Sequence, residues 1–489
     1  MQLAKFILYQ ARIREDEPAV VTIAGVATYG MLARAVESAV AQIAALELKR
    51  GAIVVVEVKN PFHHMALLIA LFLSGLASAS IQSRHHLTLT GVIPDAVLTD
   101  APDFAAEDSK VAIVGEDWFR IDPARPVNYA KLLALPGFEA PEDVIRVMFS
   151  SGTTGYPKAI ALNLRTFDHR FQHGSSLGAG PQARETRILN LMGMSTLMGF
   201  STPLIALSTG GVVAFAADIP NAVNLIRMFR IEVLQVAVFQ LAALLKYLEG
   251  KPPLSTIRTL GTGGSKMPAR MLMAARQKLG TDVLFTYAST EAGMLSTAKA
   301  QTLEQFPDSA GYLLPWVEME AVTGEGTPVT EGHDGILRVR TNELALYLKD
   351  TPDTTERFGG DWFYPGDVGR VTPEGIVYVT GRTSEIINRG GVIVAPDAIE
   401  EMLLVVPGIK DAAVFGVVNA DGIEEIWAAI VGAGFVDTNA ARAVIGARMP
   451  DRVPDRIVEV EAIPRNEMGK IKRKDIKDAV LAKLAAPSA

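Results

Sequence analysis

Short apolar runs that alternate with helix-like stretches constrain the fold of this chain more than any other feature of its sequence. The runs lie at residues 52–58, 96–99, 111–114, 212–216, 233–237 and 283–286. Strands that are apolar along their whole length are typical of parallel sheets covered on both faces. Their alternation with helical patterns predicts an α/β fold of layered, mostly parallel sheets.

The pattern of the chain changes after about residue 380. A helix is predicted over residues 396–406, which begin with a proline and carry apolar residues at i, i+3, i+4 and i+7. Strands at 412–418, 426–431 and 456–462, with helices near 440–448 and from about 474, complete an α+β pattern. Because 489 residues are too many for one core, we predict two domains. These are a large N-terminal domain of layered α/β sheets, residues 1–382, and a small mobile α+β C-terminal domain, residues 383–489.

Composition excludes several classes of function. The chain contains no cysteine, so disulfides, thiolate catalysis and cysteine-ligated metals are excluded. A net charge of −7 argues against nucleic-acid binding, because a phosphate backbone requires a large positive face. Residues 1–9 show no apolar core of secretory length. We therefore expect a cytoplasmic protein that binds no nucleic acid.

Two stretches, residues 65–81 and 188–217, are apolar enough to raise the question of a membrane span. The first is short and ends in small and polar residues, and the second is interrupted by glycines and a proline. Both are predicted to be buried helices and strands, and no membrane span is expected.

The segment from Phe149 to Lys158 concentrates hydroxyls, glycines and one cation directly after an apolar run. Hydroxyl groups donate hydrogen bonds, glycines allow close approach of the backbone, and a lysine suits phosphate. The segment therefore predicts a clamp for a polyphosphate. The residues that would contact it are Ser150, Ser151, Gly152, Thr153, Thr154, Gly155 and Lys158.

The spacing of this segment differs from that of a Walker-type loop, which has four residues between its glycines and opens a helix. Here two residues separate Gly152 from Gly155, and Pro157 precedes the lysine. We therefore predict a loop between two strands, 144–149 and 159–162. An ordinary surface loop rich in Ser, Thr and Gly is the alternative.

Further segments carry groups suited to nucleotide chemistry, although each has an ordinary interpretation when it stands alone. A solvated carboxylate would explain Glu291 or Asp367, and a solvated basic tail would explain Lys470. The segments are Gly261-Thr-Gly-Gly-Ser265, Tyr287-Ala-Ser-Thr-Glu291, Trp362-Phe-Tyr-Pro-Gly-Asp367, Gly381-Arg382 and Pro464-Arg-Asn-Glu-Met-Gly-Lys470. The first two are each predicted to follow a strand.

Taken together and in this order, the segments resemble the signature motifs of the adenylate-forming superfamily over essentially the whole chain. That superfamily includes acyl-CoA synthetases, luciferases and the adenylation domains of peptide synthetases. The resemblance implies that a small-molecule carboxylic acid attacks the α-phosphate of ATP, giving an acyl-adenylate and pyrophosphate. A thiol then displaces AMP to give a thioester. The implied cofactors are ATP, Mg²⁺ and coenzyme A.

The resemblance also implies roles for individual residues. The loop from Ser150 to Lys158 would hold the β- and γ-phosphates, Thr290 would contact the α-phosphate, and Glu291 would bind Mg²⁺. Asp367 would accept the ribose hydroxyls with Arg382 nearby, and Gly263, Gly264 and Tyr287 would form the adenine slot. Lys470 would bridge the attacking carboxylate and the nucleotide.

The small domain would have two tasks in such an enzyme. It would deliver Lys470 for adenylation and then rotate about a hinge near Ser384 to present the loop around Gly391 to the thiol. Relatives usually carry Asp or Lys at the hinge position, so Ser384 is a departure. Ile393 stands where some relatives have an arginine, and Pro365 where a threonine is common.

The acyl pocket is expected from residues 191–200 and 238–241, which are apolar and uncharged. Its candidate residues are Met194, Thr196, Gly199 and Phe239, with Thr196 in the place of a histidine of many relatives. Such a lining favours an aliphatic or aromatic acid over an amino acid, whose ammonium needs an acidic partner. Plain hydrophobic core is the alternative.

The sequence thus favours an acyl-CoA synthetase. Within the same class, the acyl group would instead pass to the phosphopantetheine arm of an acyl carrier protein. Outside it, the chain would be a catalytically silent nucleotide- or acyl-binding homologue, an alternative motivated by Ser384, Thr196 and Ile393.

Overall fold

The computed structural model describes residues 3–485, except 82–84, 104–108, 120–124, 151–157, 177–185, 281, 350, 390–391, 395, 420–423, 435 and 467–468. The described residues form two compact units. The first unit contains those up to residue 150, from 158 to 317 and from 341 to 355. The second contains residues 318–340 and those from 356 onward. The domain boundary between residues 382 and 383 stays a prediction.

The helices are distributed along the whole chain. They are α1 Leu3–Ile13, α2 Tyr29–Ala44, α3 Pro61–Leu73, α4 His85–Thr90, α5 Tyr129–Leu133, α6 Leu164–Ser176, α7 Leu197–Ser208 and α8 Ile219–Phe229. The chain continues with α9 Val238–Tyr247, α10 Ala269–Leu279, α11 Ala300–Gln305, α12 Pro352–Thr355, α13 Pro396–Leu403, α14 Thr438–Arg448 and α15 Arg473–Ala485. Short 3₁₀ turns span Glu116–Phe119 and Pro450–Arg452.

The strands follow the same chain order. The first are β1 Pro18–Thr22, β2 Gly25–Thr28, β3 Ile53–Glu57, β4 Ala77–Ser80, β5 Ala96–Thr99, β6 Lys110–Ile113, β7 Val144–Ser150, β8 Lys158–Asn163 and β9 Arg187–Asn190. Next are β10 Val212–Phe215, β11 Val233–Ala237, β12 Thr259–Gly263, β13 Asp282–Ser289, β14 Gly293–Lys299, β15 Gly311–Leu313, β16 Val317–Val322, β17 Gly335–Thr341 and β18 Leu346–Tyr347. The last are β19 Phe358–Gly359, β20 Trp362–Phe363, β21 Asp367–Val371, β22 Ile376–Arg382, β23 Ile387–Arg389, β24 Val392–Val394, β25 Ile409–Val418, β26 Glu424–Gly432 and β27 Arg456–Glu459.

The first unit is built on two mainly parallel sheets. One has the order β15-β14-β13-β12-β11-β9-β10-β1-β2, and its strands from β13 to β1 are parallel. The other has the order β18-β8-β7-β4-β3-β5-β6, and its strands from β7 to β6 are parallel. Every residue of β5 and β11 is buried, as expected for strands covered on both faces. The predicted α/β fold of layered sheets is confirmed.

The segment from Phe149 to Lys158 joins two antiparallel strands, β7 and β8. The two predicted flanking strands are confirmed, and a strand rather than a helix follows the segment, which excludes the Walker-type arrangement. Two predicted boundaries were wrong. Gly261 to Gly263 belong to β12, and Tyr287 to Ser289 belong to β13, rather than following those strands. Pairing with a neighbouring strand extends both elements into residues of low apolar character.

The two apolar stretches that raised the question of a membrane span fold into largely buried helices and strands. Residues 65–81 contribute most of α3 and all of β4, and residues 188–217 contribute β9, α7 and β10. Helix α3 begins where Asn60 caps it and Pro61 fixes its first turn. None of the helices in the described parts of the chain is long and apolar enough to cross a bilayer.

The second unit combines antiparallel strands with a small α+β module. Its first strands have the order β19-β20-β17-β21-β22, with β16 against β17. The module contains the hairpin β23–β24, the sheet β25-β26-β27 and helices α13 to α15. Apolar residues of α13, including Ile399 and Leu403, form one core with Val414 and Ile430 of the sheet. The predicted α+β architecture of this region is confirmed.

The close packing of the hairpin β21–β22 can be tested by substitution of Gly369. A Cβ atom at Gly369 would lie 1.9 Å from the carbonyl oxygen of Tyr378 on the facing strand. Because backbone must move to relieve that contact, we expect Gly369→Ala to lower the free energy of unfolding by about 1–3 kcal/mol or more. Thermal and denaturant unfolding measure the change. The matched control is Gly324→Ala, whose Cβ meets nothing within 4 Å, and equal stabilities for the two variants would contradict the expectation.

Candidate functional site

The predicted phosphate-binding segment is described at its two ends. Ser150 ends β7, and its backbone pairs with that of Lys158, the first residue of β8. Ser151, Gly152, Thr153, Thr154 and Gly155 lie outside the described residues. The Nζ atom of Lys158 lies 5.7 Å from the centroid of the Tyr347 ring. Tyr347 therefore flanks the cation of this segment.

The Thr290–Glu291 pair lies in the turn between β13 and β14. Tyr347 donates a hydrogen bond from its hydroxyl to Oε1 of Glu291 at 3.0 Å. The backbone N–H of Ala345 donates to the carbonyl oxygen of Glu291 at 2.7 Å. Since β18 pairs with β8, Tyr347 contacts both the predicted phosphate lysine and the predicted metal ligand. The sequence motifs did not single out this tyrosine.

The predicted adenine slot lies at the ends of two parallel strands. Gly263 ends β12 opposite Thr286 of β13, and Tyr287 is the next residue of β13. A Cβ atom at Gly263 would lie 2.4 Å from the Thr286 carbonyl oxygen, so only glycine fits there. Gly264 follows with a φ of +90°, a conformation that glycine adopts readily. The structure thus brings Gly263, Gly264 and Tyr287 together at one sheet edge.

A cavity of about 110 Å³ lies within the first unit. Helices α6 and α7 and the strands β11 to β13 supply most of its wall, including Phe167, Phe171, Leu197 and Ile205. The expected pocket segments are uncharged, whereas the lining of this cavity contains two charged residues. These residues are Arg170 and Glu343. They lie in helix α6 and in a loop distant in sequence, both outside the expected segments.

The four predicted pocket residues are not among those that line this cavity. Thr196 caps α7, accepting a hydrogen bond from the Gly199 N–H at 3.0 Å, and the cavity wall begins with the next residue of that helix. Met194 packs against the core of the first unit, and Phe239 is 39% exposed. A role of Met194, Thr196, Gly199 and Phe239 in binding the acid stays a prediction.

Asp367 and Arg382 face each other across the hairpin β21–β22 in the second unit. The Nε atom of Arg382 lies 2.9 Å from Oδ1 of Asp367, and the carboxylate is almost fully buried. Nη1 of Arg382 also donates to the carbonyl oxygen of Pro365 at 3.1 Å. The pair fixes the carboxylate in one orientation, which suits the recognition of two hydroxyls.

Lys470 lies on a tight loop that Asn466 holds closed. The side-chain oxygen of Asn466 accepts a hydrogen bond from the backbone N–H of Lys470 at 2.9 Å. The backbone N–H of Asn466 donates to the Lys470 carbonyl oxygen at 2.8 Å. Burial lowers the pKa of the Lys470 ammonium, and the positive charge of Arg382 lowers it further. The negative charge of Asp367 acts in the opposite direction. Within this unit, Lys470 is therefore electrostatically coupled to the Asp367–Arg382 pair.

The predicted hinge lies beside a cluster of charges. Ser384 is exposed in a turn, and the next residue, Glu385, pairs with Nε of Arg473 at 2.7 Å. Arg473 also contacts the carboxylates of Asp397 and Glu400. Burial raises the pKa of the Glu400 carboxyl, which Arg473 opposes. Gly391 lies outside the described residues.

The coupling of Lys470 to Arg382 gives a test that needs no activity. We expect the pKa of Lys470, measured in the full chain by competitive amine acetylation at a series of pH values, to lie below that of an ordinary lysine. Arg382→Gln removes a positive charge and should raise this pKa. The control is Arg370→Gln, whose side chain pairs with Asp334 at 2.9 Å and should leave the pKa in place. A Lys470 that titrates like an ordinary lysine in the parent chain would contradict the expectation.

Known proteins resemble this chain over most of its length. The model of the AMP-binding enzyme family matches residues 8–347. An indoleacetate–CoA ligase from Aromatoleum aromaticum is 26% identical over 426 residues, covering 82% of each chain. A 2-succinylbenzoate–CoA ligase from Geobacillus kaustophilus is 28% identical over 461 residues, covering 89% of each chain.

The solved structure of an o-succinylbenzoate CoA synthetase from Bacillus subtilis, in complex with an acyl-adenylate intermediate, has the same fold. The TM-score is 0.83 at 21% identity, and the match covers 97% of this chain and 98% of the other. The resemblance found in the sequence motifs is confirmed. The chain belongs to the AMP-binding enzyme family.

Proposed function

We propose that the protein is an AMP-forming acid–thiol ligase that converts a small-molecule carboxylic acid into its coenzyme A thioester. One observation carries the proposal: Tyr347 contacts both Lys158 and Glu291. Glu291 lies in the β13–β14 turn, and the residues that follow this turn, Gly293 and Met294, line a largely apolar cavity. A cation, a carboxylate and a cavity thus adjoin within one unit. This is the set of groups that phosphate, Mg²⁺ and an organic acid require.

The residues present fit ATP and Mg²⁺. Glu291 offers the hard oxygen ligand that Mg²⁺ prefers, and Lys158 offers a point charge for phosphate. Gly263 and Gly264 leave a flat, side-chain-free edge for the adenine beside Tyr287. In the second unit, Asp367 would accept the ribose hydroxyls and Arg382 would hold its carboxylate in place. Bound ATP and Mg²⁺ would supply an activated α-phosphate with pyrophosphate as the leaving group.

Lys470 would act in the first half-reaction. In this step the acid's oxygen would form a bond to the α-phosphorus while the bond to pyrophosphate breaks, and negative charge would develop on the phosphate oxygens. An ammonium placed there stabilises this charge without being rearranged. Although burial lowers its pKa, the carboxylates around Lys470 favour the charged form. Thr290 would contact the α-phosphate.

We propose an aliphatic or aromatic acid as the substrate. The names of both sequence relatives describe acids with an aromatic ring, and phenylalanine, leucine and isoleucine side chains line the cavity. Each buried CH₂ group contributes ~0.8 kcal/mol to binding in such surroundings.

The acceptor would be the thiol of coenzyme A, as in the names of these relatives. Transfer to the phosphopantetheine arm of an acyl carrier protein is the alternative within the class. A cytoplasmic location, and the hinge at Ser384 with a thiol passage near Gly391, are part of the same proposal.

An ATP–pyrophosphate exchange assay over a panel of aliphatic and aromatic acids tests the activity. We expect exchange with at least one acid, and thioester formation when coenzyme A is added. A panel in which every acid stays at background would favour a catalytically silent homologue. Thioester formed only with a carrier protein would reassign the acceptor.

Replacement of Lys470 separates the two half-reactions. We expect Lys470→Ala to reduce exchange on the order of 10²–10³-fold, and to leave thioester formation from supplied acyl-adenylate largely intact. The matched control is Lys472→Ala, which removes a half-exposed lysine two residues away. Equal loss of both half-reactions in Lys470→Ala would count against the assigned role.

A further inference from the structure

Arg170 is a buried arginine in the middle of α6, and no motif pointed to it. Only 8% of its surface is exposed. Its Nη2 atom donates to the carbonyl oxygens of Thr290 at 3.2 Å and of Glu291 at 2.7 Å. Nε and Nη2 both donate to the carbonyl oxygen of Glu343, at 3.1 and 2.7 Å. One guanidinium thus joins the β13–β14 turn to the segment that leads into β18.

These hydrogen bonds are of a strong kind. A charged donor forms hydrogen bonds about twice as strong as a neutral one, and the planar fork of arginine fixes the positions of its acceptors. Burial lowers the pKa of Arg170 to about 10, while the charges of Glu343 and Glu291 oppose this. The guanidinium therefore stays charged at neutral pH.

The carboxylate of Glu343 also contacts the chain directly after this turn. It is fully buried, and its Oε1 lies 2.8 Å from Nδ1 of His173. Its Oε2 accepts a hydrogen bond from the Met294 N–H at 3.3 Å. A Cβ atom at Gly293 would lie 2.1 Å from Oε2, so the chain passes this carboxylate without a side chain. The turn is thus held against Arg170 and Glu343 at successive residues.

We propose that Arg170 is a positioning residue, which holds the Thr290–Glu291 turn so that the Glu291 carboxylate is placed for Mg²⁺. This inference rests on the proposed function, in which Glu291 is a metal ligand. The hydrogen bonds that Arg170 donates to the turn end on the carbonyl oxygens of Thr290 and Glu291, and its effect therefore reaches the metal through Glu291. Because Arg170 and Met294 also line the cavity, the acid cavity and the metal-binding turn share one wall.

The experiment is a Mg²⁺ titration of ATP–pyrophosphate exchange in the full chain. Loss of a group that orients a metal ligand typically costs 10–100-fold in metal affinity or activity. We expect Arg170→Met to raise the Mg²⁺ concentration for half-maximal exchange by about 10-fold or more. Arg170→Lys keeps the charge and should recover part of the loss. Thioester formation from supplied acyl-adenylate should fall much less.

Two further variants keep the test independent of folding. Arg165→Met is the matched control, since Arg165 lies on the same helix but is exposed and pairs with Glu142; its Mg²⁺ requirement should not change. Tyr347→Phe removes the hydroxyl that donates to Glu291 and leaves Arg170 in place. It should raise the Mg²⁺ requirement even if Arg170→Met does not fold.

The outcomes separate this inference from the proposed function. If Glu291→Gln raises the Mg²⁺ requirement but neither folded Arg170→Met nor Tyr347→Phe does, the positioning role is overturned and the metal ligand stands. If Glu291→Gln leaves the requirement unchanged, the assignment of the metal ligand fails. A lower melting temperature of Arg170→Met with an unchanged Mg²⁺ requirement assigns the arginine to stability alone.

Discussion

The segment from Thr341 to Tyr347 is the constraint on which the site in the first unit depends. Lys158 belongs to one sheet and Glu291 to a turn of the other, so nothing local in the chain fixes their separation. The segment supplies that connection by pairing β18 with β8 and by the hydrogen bond from Ala345 to the Glu291 carbonyl. These backbone hydrogen bonds, within β18 and at the residue before it, leave little freedom for Tyr347. Tyr347 is therefore held where it contacts the cation and the carboxylate together.

Both units contain buried charges near the predicted functional residues. Transfer of an ion from water into protein costs several kcal/mol, and its partners repay this only when the geometry is good. In the first unit, Arg170 satisfies three backbone carbonyls, and Glu343 accepts hydrogen bonds from His173 and Met294. In the second unit, Arg473 is surrounded by three carboxylates. Removal of one partner alone would leave the other as an uncompensated buried charge, which is strongly destabilising.

The sequence was sufficient for the parts of the fold that depend on local pattern. The apolar runs at 96–99 and 233–237 match β5 and β11 residue for residue, because a strand buried on both faces must be apolar throughout. The two glycines and Pro157 correctly indicated that strands, and no helix, flank the segment at 149–158. The motifs also identified the family, since six of them occur in order.

What the sequence did not predict depends on contacts between distant residues. Arg170 meets the turn that carries Glu291 across more than a hundred residues of chain, and a lone arginine in an amphipathic helix gives no sign of such a contact. Tyr347 lies in a strand of only two residues, too short for a periodic pattern. The charged part of the cavity wall was missed for the same reason, since Arg170 and Glu343 come from outside the segments that the family resemblance pointed to.

These charged groups bear on the proposed binding of an acid in the cavity. The carboxylate of Glu343 already interacts with His173 and the Met294 N–H, and burial raises its pKa. It is thus a poor partner for the ammonium of an amino acid, which would have to displace those groups. The aromatic and aliphatic side chains of the wall, among them Phe171 and Leu197, instead reward apolar surface. One methylene more or less in such a pocket changes binding by about 1–3 kcal/mol, so selection among acids would depend on shape and size rather than on charge.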